Sequence, residues 1–158
     1  MSNVSLAIII AVVPVAAAAL LGNIATMPNI PTWYAGLAKP FFNPPNWIFG
    51  PIWAVLYVMM AYAFYRVLTS TEGRWTITAV VLFLIQIALN AAWSWVFFAG
   101  HNPSGGLLTI LALWAAIALT AFSFWQIDQM ASALLWPYLG WVAFAAVLNW
   151  EITRLNAN

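Results

Sequence analysis

Apolar residues run along this chain almost without interruption, and the few polar positions that break the runs set its architecture. Charges stand only at Lys39, Arg66, Glu72, Arg74, Asp128, Glu151 and Arg154, and long uncharged stretches separate them. Crossing a hydrocarbon core takes about 20 apolar residues. The stretches from Lys39 to Arg66 and from Asp128 to Glu151 therefore hold one crossing each. The stretch from Arg74 to Asp128 holds two, divided at Gly100-His101-Asn102-Pro103-Ser104-Gly105. A fifth lies before Lys39. The pattern predicts helices over residues 4–24, 47–68, 75–99, 104–126 and 130–153, within a single domain spanning 1–158. A long first loop, 25–46, carries Pro28, Pro31, Pro40, Pro44 and Pro45. Strands are excluded, because the apolar runs are continuous and show no ten-residue alternation.

Local chemistry supports these boundaries. Asn46 is expected to cap the second helix, with Pro51 in its first turns, and Asn102-Pro103 to start the fourth. Asp128 is expected to cap the fifth. Pro14 is expected to kink the first helix and Pro137 to bend the fifth near its start. Small residues at Ala16–Ala19 resemble a cleavage site, but no Lys or Arg precedes the first apolar run, so that run reads as a span. The positive charges divide evenly between the two faces and do not fix orientation.

Composition agrees with this reading. Hydrophobic residues make up 66% and charged ones 4% of 158 residues, against roughly 45–50% and about 25% in soluble proteins. So few charges cannot cover a water-soluble enzyme of this size, and no basic stripe is present for nucleic acid. The expected class is an all-α integral membrane protein, a bundle of five transmembrane helices. The chain has no cysteine, and His101 is its sole histidine, in a loop. No catalytic set and no metal site is expected.

The polar groups at membrane depth are chiefly Gln86, Asn90 and Ser94 on the third helix. Of eleven tryptophans, Trp33, Trp47, Trp75, Trp125 and Trp136 fall near helix ends, where indoles favour lipid headgroups. Trp53, Trp93, Trp114 and Trp141 fall well inside spans. Trp53 and Tyr57 share one helical face; so do Asn90, Trp93 and Phe97, and so do Tyr138, Trp141, Ala145 and Leu148. Such faces either pack as core or line a pocket for a flat, largely apolar ligand, and periodicity by itself favours packing. Small residues at Ala18/Gly22, Ala88/Ala92 and Ala112/Ala116/Thr120 permit close helix approach.

Longer stretches resemble a known family. Trp33-Tyr34-Ala35-Gly36-Leu37-Ala38-Lys39-Pro40, Asn43-Pro44-Pro45-Asn46-Trp47 and Gly50-Pro51-Ile52-Trp53-Ala54-Val55-Leu56-Tyr57 are similar to the TspO/MBR family. Its members are tryptophan-rich sensory proteins and, in mitochondria, the translocator protein or peripheral-type benzodiazepine receptor. The resemblance continues through Asn90-Ala91-Ala92-Trp93-Ser94, Phe97-Phe98, Pro137 to Phe144 and Leu148-Asn149. It implies a membrane receptor or carrier for porphyrins and haem-like tetrapyrroles, with no obligatory cofactor. Sterols and benzodiazepine-type molecules are further ligands of the family. The pocket positions it implies here are Tyr34, Pro44, Trp53, Asn90, Trp93, Trp141 and Phe144. It also implies membrane lipid and a second copy of the chain as partners, in the cell membrane of a bacterium or the mitochondrial outer membrane of a eukaryote. Light-dependent porphyrin breakdown, or a purely regulatory role against another membrane protein, are the alternative functions. The chain departs from the family pattern at Phe42 and Trp95, and Trp150 stands where the family's sterol motif centres on tyrosine.

Overall fold

A computed structural model describes residues 3–70 and 73–157; Glu72, expected beside a helix end, lies outside the described residues. The helices are α1 (Asn3–Thr26), α2 (Asn46–Thr69), α3 (Thr76–Ser94), α4 (Pro103–Trp125), α5 (Gln129–Ala133) and α6 (Trp136–Leu155). Five crossings are long and apolar enough to span a membrane, α5 and α6 together forming the fifth. Among the described residues there is no strand. The predicted bundle stands, with boundaries displaced by one or two residues.

The corrections are local. Helix α2 begins at Asn46 itself, Pro45 is its N-cap, and no side chain caps it. Asn46 is therefore already helical, and Pro51 is the sixth helical residue, beyond the first four amides that lack internal partners. Asn102 does cap α4, its Oδ1 accepting from the Gly105 amide at 2.8 Å. Asp128 caps the short α5, its Oδ1 accepting from the Ala131 amide at 3.0 Å. Near Pro137, where a bend was expected, the helical hydrogen-bond ladder of the fifth crossing is interrupted at Leu134 and Leu135, both still in the right-handed helical region. Pro137 then sits in the first turn of α6, where its missing N–H costs nothing. Helix α1 runs without interruption through Pro14. The third crossing ends in a π-helical turn, Trp95–Ala99, closed by the Gly100 amide donating to the Trp95 carbonyl at 2.7 Å. Phe97 and Phe98, consecutive in this turn, are both buried.

Helix α1 packs against α2 and α3, α3 against α4, and α4 against α6. Their shared core stacks Phe64 on Phe83 at 4.0 Å, with Met60, Leu113, Ile117 and Leu135 fully buried around it. Ala11, Val15, Ala18, Gly22 and Ala25 form the buried stripe of α1. A methyl group at Gly22 would stand 3.3 Å from Ser94 Oγ, so that stripe serves the α1–α3 contact inside the chain. Ala116 and Thr120 are likewise buried, whereas Ala88 and Ala112 are exposed. Close backbone approach between α2 and the fifth crossing is made by short α5, so α2 and α6 flank a seam. An apolar groove of about 300 Å³ follows its outer side past Pro51, Val55 and Pro137.

At the far end of this seam Arg66 closes on Asp128, with Nη2 to Oδ2 at 2.8 Å and Nε donating to the same oxygen at 2.9 Å. Burial raises the Asp128 pKa, but the Ala131 amide and the Arg66 guanidinium outweigh it and hold the carboxyl below its usual value. A depressed folded pKa contributes stability above the unfolded value and loses it as pH falls through the folded one. Thermal stability is therefore expected to decline below the ordinary carboxylate range, and Asp128→Asn, which keeps a capping oxygen, should flatten that part of the profile. An unchanged acid limb in the variant would show that the ion pair contributes nothing.

Candidate ligand-binding site

Three helices bring their aromatic faces to the seam. From α2, Trp53 stacks obliquely on Tyr57 at 5.5 Å and meets Tyr138 of α6 edge-on at 6.1 Å. Phe49, a turn before Trp53, meets Trp141 at 5.8 Å, and Trp141 lies 5.5 Å from Phe144. From α3, Trp93 stacks on Phe97 at 5.5 Å. Trp93 touches both the bundle core and the separate cluster of Tyr34, Phe97, Phe98, Leu148 and Ile152 that the first loop covers. Trp114, also interior to a span in sequence, is 40% exposed on α4 and takes no part.

The deep end is closed by a polar bridge. The Tyr57 hydroxyl donates to Asn90 Oδ1 at 2.9 Å, and Asn90 Nδ2 donates to the Tyr138 hydroxyl oxygen at 2.9 Å. Asn90 is 3% exposed, and each polar atom of its amide has a protein partner. It therefore ties α2, α3 and α6 together in this structure. Toward the loop, Trp93 Nε1 donates to Asn149 Oδ1 at 3.0 Å, while Asn149 Nδ2 donates to the Pro103 carbonyl at 2.8 Å. That second bridge links α3, α6 and the start of α4. The Trp141 indole N–H is buried with no hydrogen-bond partner among the described residues.

The first loop lies over this aromatic cluster as a compact strap. A 3₁₀ turn, Tyr34–Gly36, buries the Tyr34 ring against Phe98 at 5.6 Å. The Tyr34 hydroxyl donates to Asn43 Oδ1 at 3.0 Å, and Asn43 Nδ2 donates to the Pro44 carbonyl at 3.2 Å. Burial raises the Tyr34 pKa, partly offset by the Asn43 contact. Phe42 reaches Phe144 at 6.4 Å. Lys39 Nζ sits 4.7 Å over the Tyr34 ring and donates to the Leu37 carbonyl at 3.0 Å; partial burial holds its pKa below the ordinary lysine value.

Two latches outside the expected set fasten the strap. Asn156, at the end of α6, accepts from the Ala38 amide at 3.0 Å and donates to the Ala38 carbonyl at 2.9 Å. His101 stacks on Trp33 at 4.7 Å, and its Nε2 hydrogen-bonds Asn29 Oδ1 at 2.8 Å. His101 adopts φ 48°, a left-handed conformation that strains a non-glycine residue, and these contacts offset the strain. Asn156→Ala is expected to shift strap opening by about 1 kcal/mol, roughly fivefold, since the lost bonds are partly solvated. Faster backbone hydrogen exchange across 32–46 would report it; exchange equal to the parent's would show that Asn156 does not hold the strap.

The seven positions expected from sequence thus gather in one region. Trp53, Trp93, Trp141 and Phe144 stand on the packed aromatic faces, Asn90 bridges Tyr57 and Tyr138, and Tyr34 and Pro44 belong to the strap. Tyr57 and Tyr138 were visible as members of the aromatic faces, but not as partners of Asn90.

The TspO/MBR family profile matches residues 10–155. The chain is 41% identical to the tryptophan-rich protein TspO of Archaeoglobus fulgidus, over 96% of this chain and 98% of that one. It is 41% identical to human translocator protein over 78% of this chain and 75% of that protein. With the tryptophan-rich sensory protein of Cereibacter sphaeroides it shares 38% identity over 80% and 78%. With five apolar crossings and a family match over most of its length, the chain belongs to the TspO/MBR family of integral, multi-pass membrane proteins.

Proposed function

We propose that this protein is a membrane receptor or carrier for porphyrins and haem-like tetrapyrroles, held beneath the first loop between α2, α3 and α6. The observation that carries this reading is the convergence of Trp53, Trp93 and Trp141 from three helices, with the Trp141 N–H buried and unpaired. A tetrapyrrole offers a broad π-surface for such faces and acceptor atoms for such a donor. Its propionates would emerge at the strap, where the Lys39 ammonium offers a positive charge. Flat apolar molecules of sterol or benzodiazepine type suit the same walls. The role is regulation or transport of tetrapyrroles, and a second copy of the chain is a proposed partner.

Titrating protoporphyrin IX against the tryptophan fluorescence of the purified protein in darkness tests this reading. Saturable quenching at about one porphyrin per chain is expected. Linear, unsaturable quenching would leave a regulatory protein whose aromatic faces only pack. A second reading, light-dependent breakdown of the bound porphyrin, is favoured by the same three indoles, which are oxidisable groups beside the ring.

A further inference from the structure

Gln86 lies one helical turn before Asn90 on α3 and is 1% exposed, and neither its Oε1 nor its Nε2 has a hydrogen-bond partner among the described residues. At membrane depth no bulk water relieves such a group, so an unpaired carboxamide there is costly. Most other buried polar side chains among the described residues are engaged. Asn149 bonds Trp93, Pro103 and Thr153, while Thr120, Ser123 and Ser132 return their hydroxyl protons to backbone carbonyls.

The bridge at Asn90 has capacity left over. Asn90 Nδ2 uses one of its two N–H groups on Tyr138, and the Tyr138 hydroxyl accepts that bond without an acceptor for its own proton among the described residues. Gln86 and Asn90, four residues apart, share a helix face, with Cβ atoms roughly 5–6 Å apart. An atom lying between two neighbouring amides joins them by two hydrogen bonds of about 2.9 Å. The chain's charges stand near helix ends, so the surroundings favour a neutral group over an ion.

We infer that Gln86, with Asn90 and Tyr138, forms a binding site for one small neutral hydrogen-bonding group in the centre of the bundle. The group is a carbonyl, hydroxyl or pyrrole N–H of the ligand, or a water molecule; the ligand source rests on the proposed tetrapyrrole reading, and the water source does not. Gln86 thereby sets which polar centre the deep end accepts.

Gln86→Met keeps the side chain's length and removes both polar atoms. If the ligand supplies the group, the variant binds protoporphyrin IX about three- to tenfold more weakly in the dark titration. If water supplies it, affinity is unchanged, and a high-resolution structure of the parent shows a solvent oxygen about 2.6–3.2 Å from Gln86 that is missing in the variant. Equal affinity, with no atom at that distance in the parent either free or with protoporphyrin IX, would overturn the inference. Should the parent itself fail to bind protoporphyrin IX, the tetrapyrrole reading falls, and density beside Gln86 in the free protein still decides this site. The parent structures also decide it should the variant fail to fold.

Discussion

Asn90→Leu is expected to destabilise the protein by about 1–3 kcal/mol and to weaken protoporphyrin binding by about tenfold. The stability loss follows from the two bonds at 2.9 Å that join Tyr57, Asn90 and Tyr138. Interhelical hydrogen bonds in membranes contribute on average about 0.6 kcal/mol each, because the separated helices also find partners. Here the cost is larger, since Tyr138 is fully buried and leucine strands both tyrosine hydroxyls. Tyr57→Phe, which breaks one bond and strands only Asn90 Oδ1, should cost about half as much. The affinity loss follows because α2 and α6 flank the seam, and without the bridge their aromatic faces are no longer held at a fixed separation. Unfolding in mixed detergent micelles and the dark titration measure the two effects. Parent-like stability in both variants would mean that the bridge does not hold the seam.

Replacing Trp53, Trp93 and Trp141 together with phenylalanine is expected to leave protoporphyrin binding within about tenfold of the parent while slowing its light-driven loss several-fold. Phenylalanine keeps an aromatic face but lacks the easily oxidised indole. Proximity is the aid the site would offer such a reaction, since a porphyrin bound as proposed would lie against the indoles without diffusion. Trp93 also donates to Asn149, so the variant gives up about 1 kcal/mol of stability, and rates must be compared at matched occupancy. Equal loss rates in parent and variant would assign the photochemistry to the porphyrin in solution and leave the protein a binder.

Long apolar runs made the five crossings legible, because nothing but a membrane span uses so many consecutive uncharged residues. The interruption at Leu134 and Leu135 was not, since both residues are as apolar as a helix interior and only Pro137 marked the place. The π-helical turn at Trp95–Ala99 was hidden for the same reason. Periodicity found the faces that carry Trp53, Asn90 and Trp141, because it reports one helix at a time. It cannot report which faces meet, so the roles of Tyr57 and Tyr138 required the fold. Asn156 and His101 were least legible: each is a polar residue in a polar stretch, and each acts through a contact with the distant first loop.

Backbone hydrogen exchange of the protein in lipid nanodiscs, with and without saturating protoporphyrin IX in darkness, tests the central claim most directly. A ligand seated under the strap slows exchange across 32–46 and through the π-helical turn at 95–99, while the outer face of α4 around Trp114 stays unchanged. Protection confined to α4, or no change anywhere at saturation, would contradict a binding site between α2, α3 and α6.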